Sequence, residues 1–166
     1  MLMSTPNIIT SEQKKFYLEH PEEIPILNLI PQRSPIVMVD YFCGLQDKTS
    51  KSSFTVRADN IFVRNGCLSE MGLIEHIAQS AGARIGYLCI LENQEVPIGF
   101  IGSVNDVQIH RLPEIGDQLQ TTVTLLHKIG PIWLIQAETR ANSSDSNEGT
   151  LQISCRMKIY CALNEI

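Results

Sequence analysis

The chain has 166 residues and a mass of 18.6 kDa; 43% of the residues are apolar and 19% charged. That is the length of one domain, with enough apolar material for a core built without disulfides or metal, and it excludes a disordered tail. Thirteen basic residues against eighteen acidic ones leave a scattered net charge of −5, which lacks the basic stripe that nucleic acid would require.

No apolar run approaches the ~20 residues of a membrane span, and no membrane partner is expected. The first ten residues lack the basic start and long apolar stretch of a secretory leader. The five cysteines are odd in number and none are spaced C-x-x-C. This argues against a disulfide framework or a zinc site, and for a reducing, cytoplasmic compartment.

In chain order, residues 1–23 are polar and are expected to form a peripheral segment ahead of a single domain over 24–166. Ser11 opens a short capped helix that Pro21 ends. A second short helical piece over 24–30 stops before Pro31. Residues 35–43, 52–57 and 98–109 are strand candidates. Between the last two lies one long helix over 71–91.

The C-terminal half reads more clearly. Leu119, Thr121, Val123 and Leu125 alternate with polar residues; Trp133, Ile135, Ala137 and Thr139 do the same after a Gly130-Pro131 turn. Period two means a strand with one buried face. Residues 142–149 read as a polar loop. In the last strand Leu151, Ile153, Cys155, Met157, Ile159, Cys161 and Leu163 take one face, and Gln152, Ser154, Arg156, Lys158 and Tyr160 the other. Consecutive strands with short connections imply an antiparallel sheet.

On the long helix, Met71, Ile74, Ile77, Ala78, Ala81, Ile85, Leu88 and Cys89 share one face at about 100° per residue. Glu75 borders that face, roughly 80° from its centre, and Gln79, Gly82 and Gly86 follow on the same strip. A carboxylate bordering a core is costly unless it is hydrogen-bonded or protonated. Each helical glycine costs about 1 kcal/mol against alanine. Two explanations stand: close packing against a curved sheet, or room for a ligand chain. Under the second, Glu75 is the candidate catalytic residue, and Gly72, Gln79, Gly82 and Gly86 bind substrate.

His76 falls with Ser80, Ala83 and Tyr87 on the far side of the wheel and is expected to be exposed or at an interface. His110 alternates away from Val107 and Ile109, toward the surface; His20 and His127 carry no signal. Cys67 precedes the helix, where a thiol can be activated, but no base accompanies it. No phosphate loop, nucleophile elbow or H-E-x-x-H pattern is present, and no metal site is expected.

Three segments together carry a family resemblance. Pro31-Gln32-Arg33-Ser34-Pro35-Ile36-Val37-Met38-Val39-Asp40 resembles the proline-x-arginine-x-proline, apolar, aspartate motif of bacterial β-hydroxyacyl-(acyl carrier protein) dehydratases. Glu75-His76-Ile77-Ala78-Gln79 is similar to the block on their central helix. Pro113-Glu114-Ile115-Gly116-Asp117-Gln118-Leu119 resembles their proline-glycine-aspartate turn. The resemblance spans roughly residues 25–163. It implies an α+β hot-dog fold, an antiparallel sheet wrapped around one long central helix, dimerising through edge strands. It also implies an acyl chain carried as a thioester on the phosphopantetheine of an acyl carrier protein or of coenzyme A, with no other cofactor.

In that family a histidine removes the α-proton and the helix carboxylate protonates the departing hydroxyl. Glu75 matches the carboxylate, whereas the histidine's position, fourteen residues earlier, is Ile61. Three functions follow. The chain is a dehydratase-like protein of fatty-acid, polyketide or polyene synthesis whose base is unusual or comes from a partner. Alternatively it is a thioesterase that uses the one helix carboxylate. Or it is a non-catalytic acyl-binding subunit that pairs with itself or completes a heterodimer with a related dehydratase.

Overall fold

The computed structural model describes residues 8–142 and 149–162. Residues 143–148 and Leu163 lie outside it, so the expected loop there, and the last residue of the expected strand face, are not described.

The elements in chain order are α1 (Ser11–Glu19), a 3-10 turn (Pro21–Glu23), α2 (Ile26–Leu29), β1 (Tyr41–Gln46), β2 (Thr49–Thr55), β3 (Val63–Arg64), β4 (Cys67–Leu68), α3 (Glu70–Leu91), β5 (Ile98–Ile109), β6 (Gln118–Ile129), β7 (Ile132–Asn142) and β8 (Thr150–Ala162). Thr10, not Ser11, caps α1: its hydroxyl accepts from the Gln13 N–H while the Gln13 side chain accepts from the Thr10 N–H. Ser69 caps α3 through the Gly72 N–H.

Six strands form one antiparallel sheet in the order β1-β2-β6-β7-β8-β5, and α3 packs against it. This is the hot-dog arrangement that the resemblance implies. The β6–β7 turn is closed by Gly130, whose φ of 54° suits glycine, with Ile129 opposite Ile132. The turn into β6 is pinned by Asp117, whose carboxylate accepts from the Glu114 N–H at 2.9 Å. The inward faces read from alternation hold: Leu119, Thr121, Val123, Trp133, Ile135, Ala137, Thr139, Cys155, Met157, Ile159 and Cys161 are buried.

Three expectations fail for identifiable reasons. Gln152 is buried, not outward, because β8 carries an extra residue where Thr139 pairs with Ile153 and Arg140 with Leu151. Residues 35–40 are not strand; only from Tyr41 does the chain pair as β1. Their backbone is bonded by side chains of α3 instead: the Met38 N–H donates to Gln79 Oε1, and Gln79 Nε2 donates to the Ile36 carbonyl. Asp40 then ties the start of β1 to β2, accepting from the Thr55 N–H and from both terminal nitrogens of Arg57.

The third failure concerns the helix. α3 is buried on both sides, not one. Leu73, Ile77 and Ala81 face the sheet core, whereas Met71, read as part of that face, is exposed. On the other side Ala83, Tyr87 and Ile90 pack in a second cluster with Ile24, Leu29, Ile30 and Phe42. The N-terminal segment therefore roofs the face that the wheel left to solvent. His76, expected to be exposed or at an interface, is fully buried inside the chain, as is Ser80. Arg84 is also buried, and among the described residues its Nε and Nη1 have no hydrogen-bond partner; the hydroxyls of Ser80 and Ser50 are likewise unpaired there.

Candidate active site

One helical strip, one turn and two strands meet in a cleft of about 270 Å³. Glu75, Ala78, Gly82 and Ile85 of α3 form one wall, Phe100 and Ile101 of β5 with Ile159 and Cys161 of β8 another, and Pro31 with Gln32 the third. Arg33 donates to the Ile30 and Gln32 carbonyls, at 2.9 and 2.8 Å, which fixes that third wall. The walls are mostly apolar, with a few polar groups converging, the usual make-up of a small-molecule site.

Glu75 is half-buried at this cleft. Gln79 Nε2 donates to Glu75 Oε1 at 2.7 Å. Gln79 itself is 1% exposed and does not line the cleft. Its oxygen accepts from the Met38 N–H at 2.7 Å and its nitrogen donates to the Ile36 carbonyl at 2.7 Å. These bonds fix which end of the amide is which, and so aim an N–H at the carboxylate. A group read as touching substrate thus stands behind the acid and orients it.

The glycines of the strip separate into two kinds. A Cβ on Gly82 would meet only Ile30 Cγ2, at 3.9 Å, so this glycine opens the cleft wall. Gly86 is not in the cleft: a Cβ there would run into the Leu29 carbonyl, so its absence lets α2 cross α3 closely. Gly72 is not in the cleft either; a Cβ would come within 2.7 Å of Phe62 and 2.6 Å of Leu68. Of the five residues singled out by sequence, Glu75, Gln79 and Gly82 come together, and Gly72 and Gly86 serve packing elsewhere.

His76 makes two short bonds in the interior: Nδ1 to the Met38 carbonyl at 2.6 Å and Nε2 to the Thr121 hydroxyl at 2.7 Å. Burial pushes its pKa down to about 4, against the bond to Met38 and the charge of Asp40, which act the other way. A carbonyl can only accept, so Nδ1 carries the proton; the neutral ring's Nε2 accepts from Thr121. The Thr121 hydroxyl, its one proton used, accepts from Thr139 at 2.7 Å. The thiols offer no nucleophile at the cleft. Burial raises the pKa of Cys161, with the neighbouring Cys89 adding to it, and drives Cys155 up to about 11.

Over residues 24–162 the chain matches a family described as ApeP-like, ApeP dehydratase. The chain belongs to the ApeP-like dehydratase family. A curated relative is the 3-hydroxyacyl-[acyl-carrier-protein] dehydratase FabZ of Cupriavidus metallidurans, 24% identical over 148 residues, 84% of this chain and 91% of that one. Among solved structures, the dehydratase heterocomplex ApeI:P of Xenorhabdus doucetiae superposes with a TM-score of 0.76 at 19% identity, covering 85% of this chain and 93% of that chain. A hypothetical thioesterase of Streptococcus pneumoniae, solved with coenzyme A, shares the fold at a TM-score of 0.56 and 11% identity, over 73% and 86% of the two chains.

In this ApeP-like chain one wall of the cleft is also a free sheet edge. Among the described residues β5 pairs with β8 alone, and Ile98, Phe100, Ile101, Val107 and Ile109 are exposed along it. Ile61 sits exposed in the connection between β2 and β3 and does not line the cleft. Among the described residues, no helix is long and apolar enough to cross a membrane. Sequence reasoning missed Gln32 in the cleft wall and the interior bonds of His76. The second was signalled by Ala83, Tyr87 and Ile90, which follow His76 around the helix as a second apolar stripe.

Proposed function

We propose that this chain holds an acyl thioester in the cleft beside Glu75 and supplies the acid half of a 3-hydroxyacyl dehydratase. The acyl group arrives on the phosphopantetheine arm of an acyl carrier protein or on coenzyme A. Glu75 gives a proton to the departing C3 hydroxyl. A base takes a proton from C2, the C2–H electron pair becomes the C2=C3 double bond, and water leaves. A general acid–base partner is worth roughly 10²–10⁴ in rate, so the base matters as much as the acid.

The observation that carries this reading is the oriented carboxylate at an apolar cleft, Gln79 to Glu75 at 2.7 Å, opening beside the edge strand β5. Residue 61 is an isoleucine, so the base comes from a second subunit docked on β5, a copy of this chain or a related dehydratase. The partnership that the ApeI:P heterocomplex is named for supports the second.

The experiment is an assay of the purified chain with 3-hydroxyacyl and acyl thioesters, alone and mixed with a related dehydratase. Water loss that requires mixing and disappears in Glu75→Gln is the expected result. Free thiol release that disappears in the same variant makes the chain a thioesterase. Tight acyl binding without turnover under either condition makes it a binding subunit.

A further inference from the structure

Glu75 and His76 are neighbours in sequence, and their side chains leave the helix about 100° apart. No hydrogen bond joins them directly. A path nevertheless connects them on the outside of the helix. The His76 Nδ1–H donates to the Met38 carbonyl, the Met38 N–H donates to Gln79 Oε1, and Gln79 Nε2–H donates to Glu75 Oε1, at 2.6, 2.7 and 2.7 Å. Residues 35–40 form no strand here, so side chains of α3 hold both polar groups of Met38.

We propose that His76 is a positioning residue for Glu75, acting through the backbone of Met38 and the amide of Gln79. This rests on the reading of Glu75 as the acid. The geometry has the attributes such a role needs. His76 is fully buried, and its second nitrogen is bonded to the Thr121 hydroxyl, itself bonded to Thr139. Two strands of the sheet thereby fix the ring. The Met38 side chain is also fully buried and its sulfur accepts from Asn60, which anchors the residue that links His76 to Gln79. A rigid sheet is thus connected to a carboxylate about 100° away around the helix. Precise aim of a reacting group is worth more than its contact energy suggests; a misplacement of about 1 Å can lose roughly a hundredfold in rate.

Asparagine and glutamine separate this role from simple filling of a polar hole. The side-chain amide of asparagine reaches about as far as Nδ1, and that of glutamine about as far as Nε2. His76→Asn keeps a donor for Met38 and gives up Thr121; His76→Gln keeps Thr121 and gives up Met38. Each variant of the full chain is compared with wild type in two ways: kcat and KM for dehydration in the mixture with the related dehydratase, and exchange of the Gln79 side-chain amide protons followed by NMR. His76→Asn is expected to keep slow Gln79 exchange and a kcat within about threefold. His76→Gln is expected to lose the slow exchange and about tenfold or more in kcat, at a KM within about twofold.

The opposite ranking, equal behaviour of both variants, or fast Gln79 exchange in the wild type overturns the proposal. The exchange measurement needs no turnover. If wild type shows slow exchange but no water loss even with the related dehydratase present, the catalytic reading of Glu75 fails by itself, and the exchange ranking of the two variants still decides the role of His76.

Discussion

Gln79 spends both of its amide protons and its carbonyl on three partners, and one of them is the Glu75 carboxylate one helical turn away. Gln79→Leu removes the orienting donor and leaves the Met38 N–H and the Ile36 carbonyl without the side chain that bonds them. A buried polar group left unpaired costs about 1–3 kcal/mol. The expected outcome is a loss of roughly 2–5 kcal/mol in denaturant unfolding, together with loss of any Glu75-dependent turnover. Full stability in Gln79→Leu would mean that the 35–40 segment finds other partners.

Gly82 and Gly86 should respond in opposite ways to the same small change. Gly82→Ala has room, with only Ile30 Cγ2 at 3.9 Å, and gains up to about 1 kcal/mol from helix propensity. Gly86→Ala meets the Leu29 carbonyl and should cost more than about 2 kcal/mol by thermal or denaturant melting. Gly82→Leu should fill the cleft and abolish acyl thioester binding in calorimetry while the chain stays folded. Normal binding by that variant would place the acyl chain elsewhere.

His76 gives stability a pH dependence whose sign is fixed. Its folded pKa, about 4, lies below the ordinary 6.5 because burial disfavours the cation. Above pH 6.5 neither state is protonated at this ring, and its contribution is fully present. As pH falls from 6.5 towards 4 the unfolded chain takes up a proton that the folded chain refuses, and stability drops by roughly 3 kcal/mol in all. Denaturant titrations at a series of pH values should show this decline in wild type and a shallower one in His76→Asn. Parallel slopes would mean that the ring is solvated.

Arg84 presents the reverse case, a charge whose removal should help. It is 3% exposed, and two of its nitrogens are buried without partners among the described residues. Burying an uncompensated charge is expensive, and an apolar residue of similar length removes the penalty. Arg84→Met should raise the unfolding free energy by about 1–3 kcal/mol. A destabilised Arg84→Met variant would point to buried water or an ion bonded to the guanidinium.

The β5 edge should control assembly. Phe100→Lys places a charge on an exposed apolar position of an edge strand, the way natural edges are kept from pairing. Sedimentation should show this variant failing to associate with itself or with a related dehydratase, with an unchanged circular dichroism spectrum. Unchanged association would move the interface to another surface.

The sheet was largely legible in the sequence, because β6, β7 and β8 each bury one face and alternation records that directly. The bulge at Gln152 was not, because a single extra residue leaves no mark in an alternating pattern. Residues 35–40 look like strand because they are apolar and β-branched, yet their backbone partners are side chains about 40 positions away, which local pattern cannot show. The wheel placed Glu75, Gln79 and Gly82 on one strip correctly. It misplaced His76 because helical periodicity was matched to a single buried face, and the roof over the other comes from a separate stretch of chain. Gly72 and Gly86 read like ligand-facing glycines because a small residue looks the same whether the space beside it belongs to a ligand or to a neighbouring helix.

The naked flank of β5 has a consequence for how the chain must be produced. Twelve residues of open hydrogen-bonding edge with apolar side chains are a template for indiscriminate cross-chain pairing. Crowded during overexpression, such edges should draw copies of the chain together into inclusion bodies, and charging the strand, as Phe100→Lys does, should keep them apart.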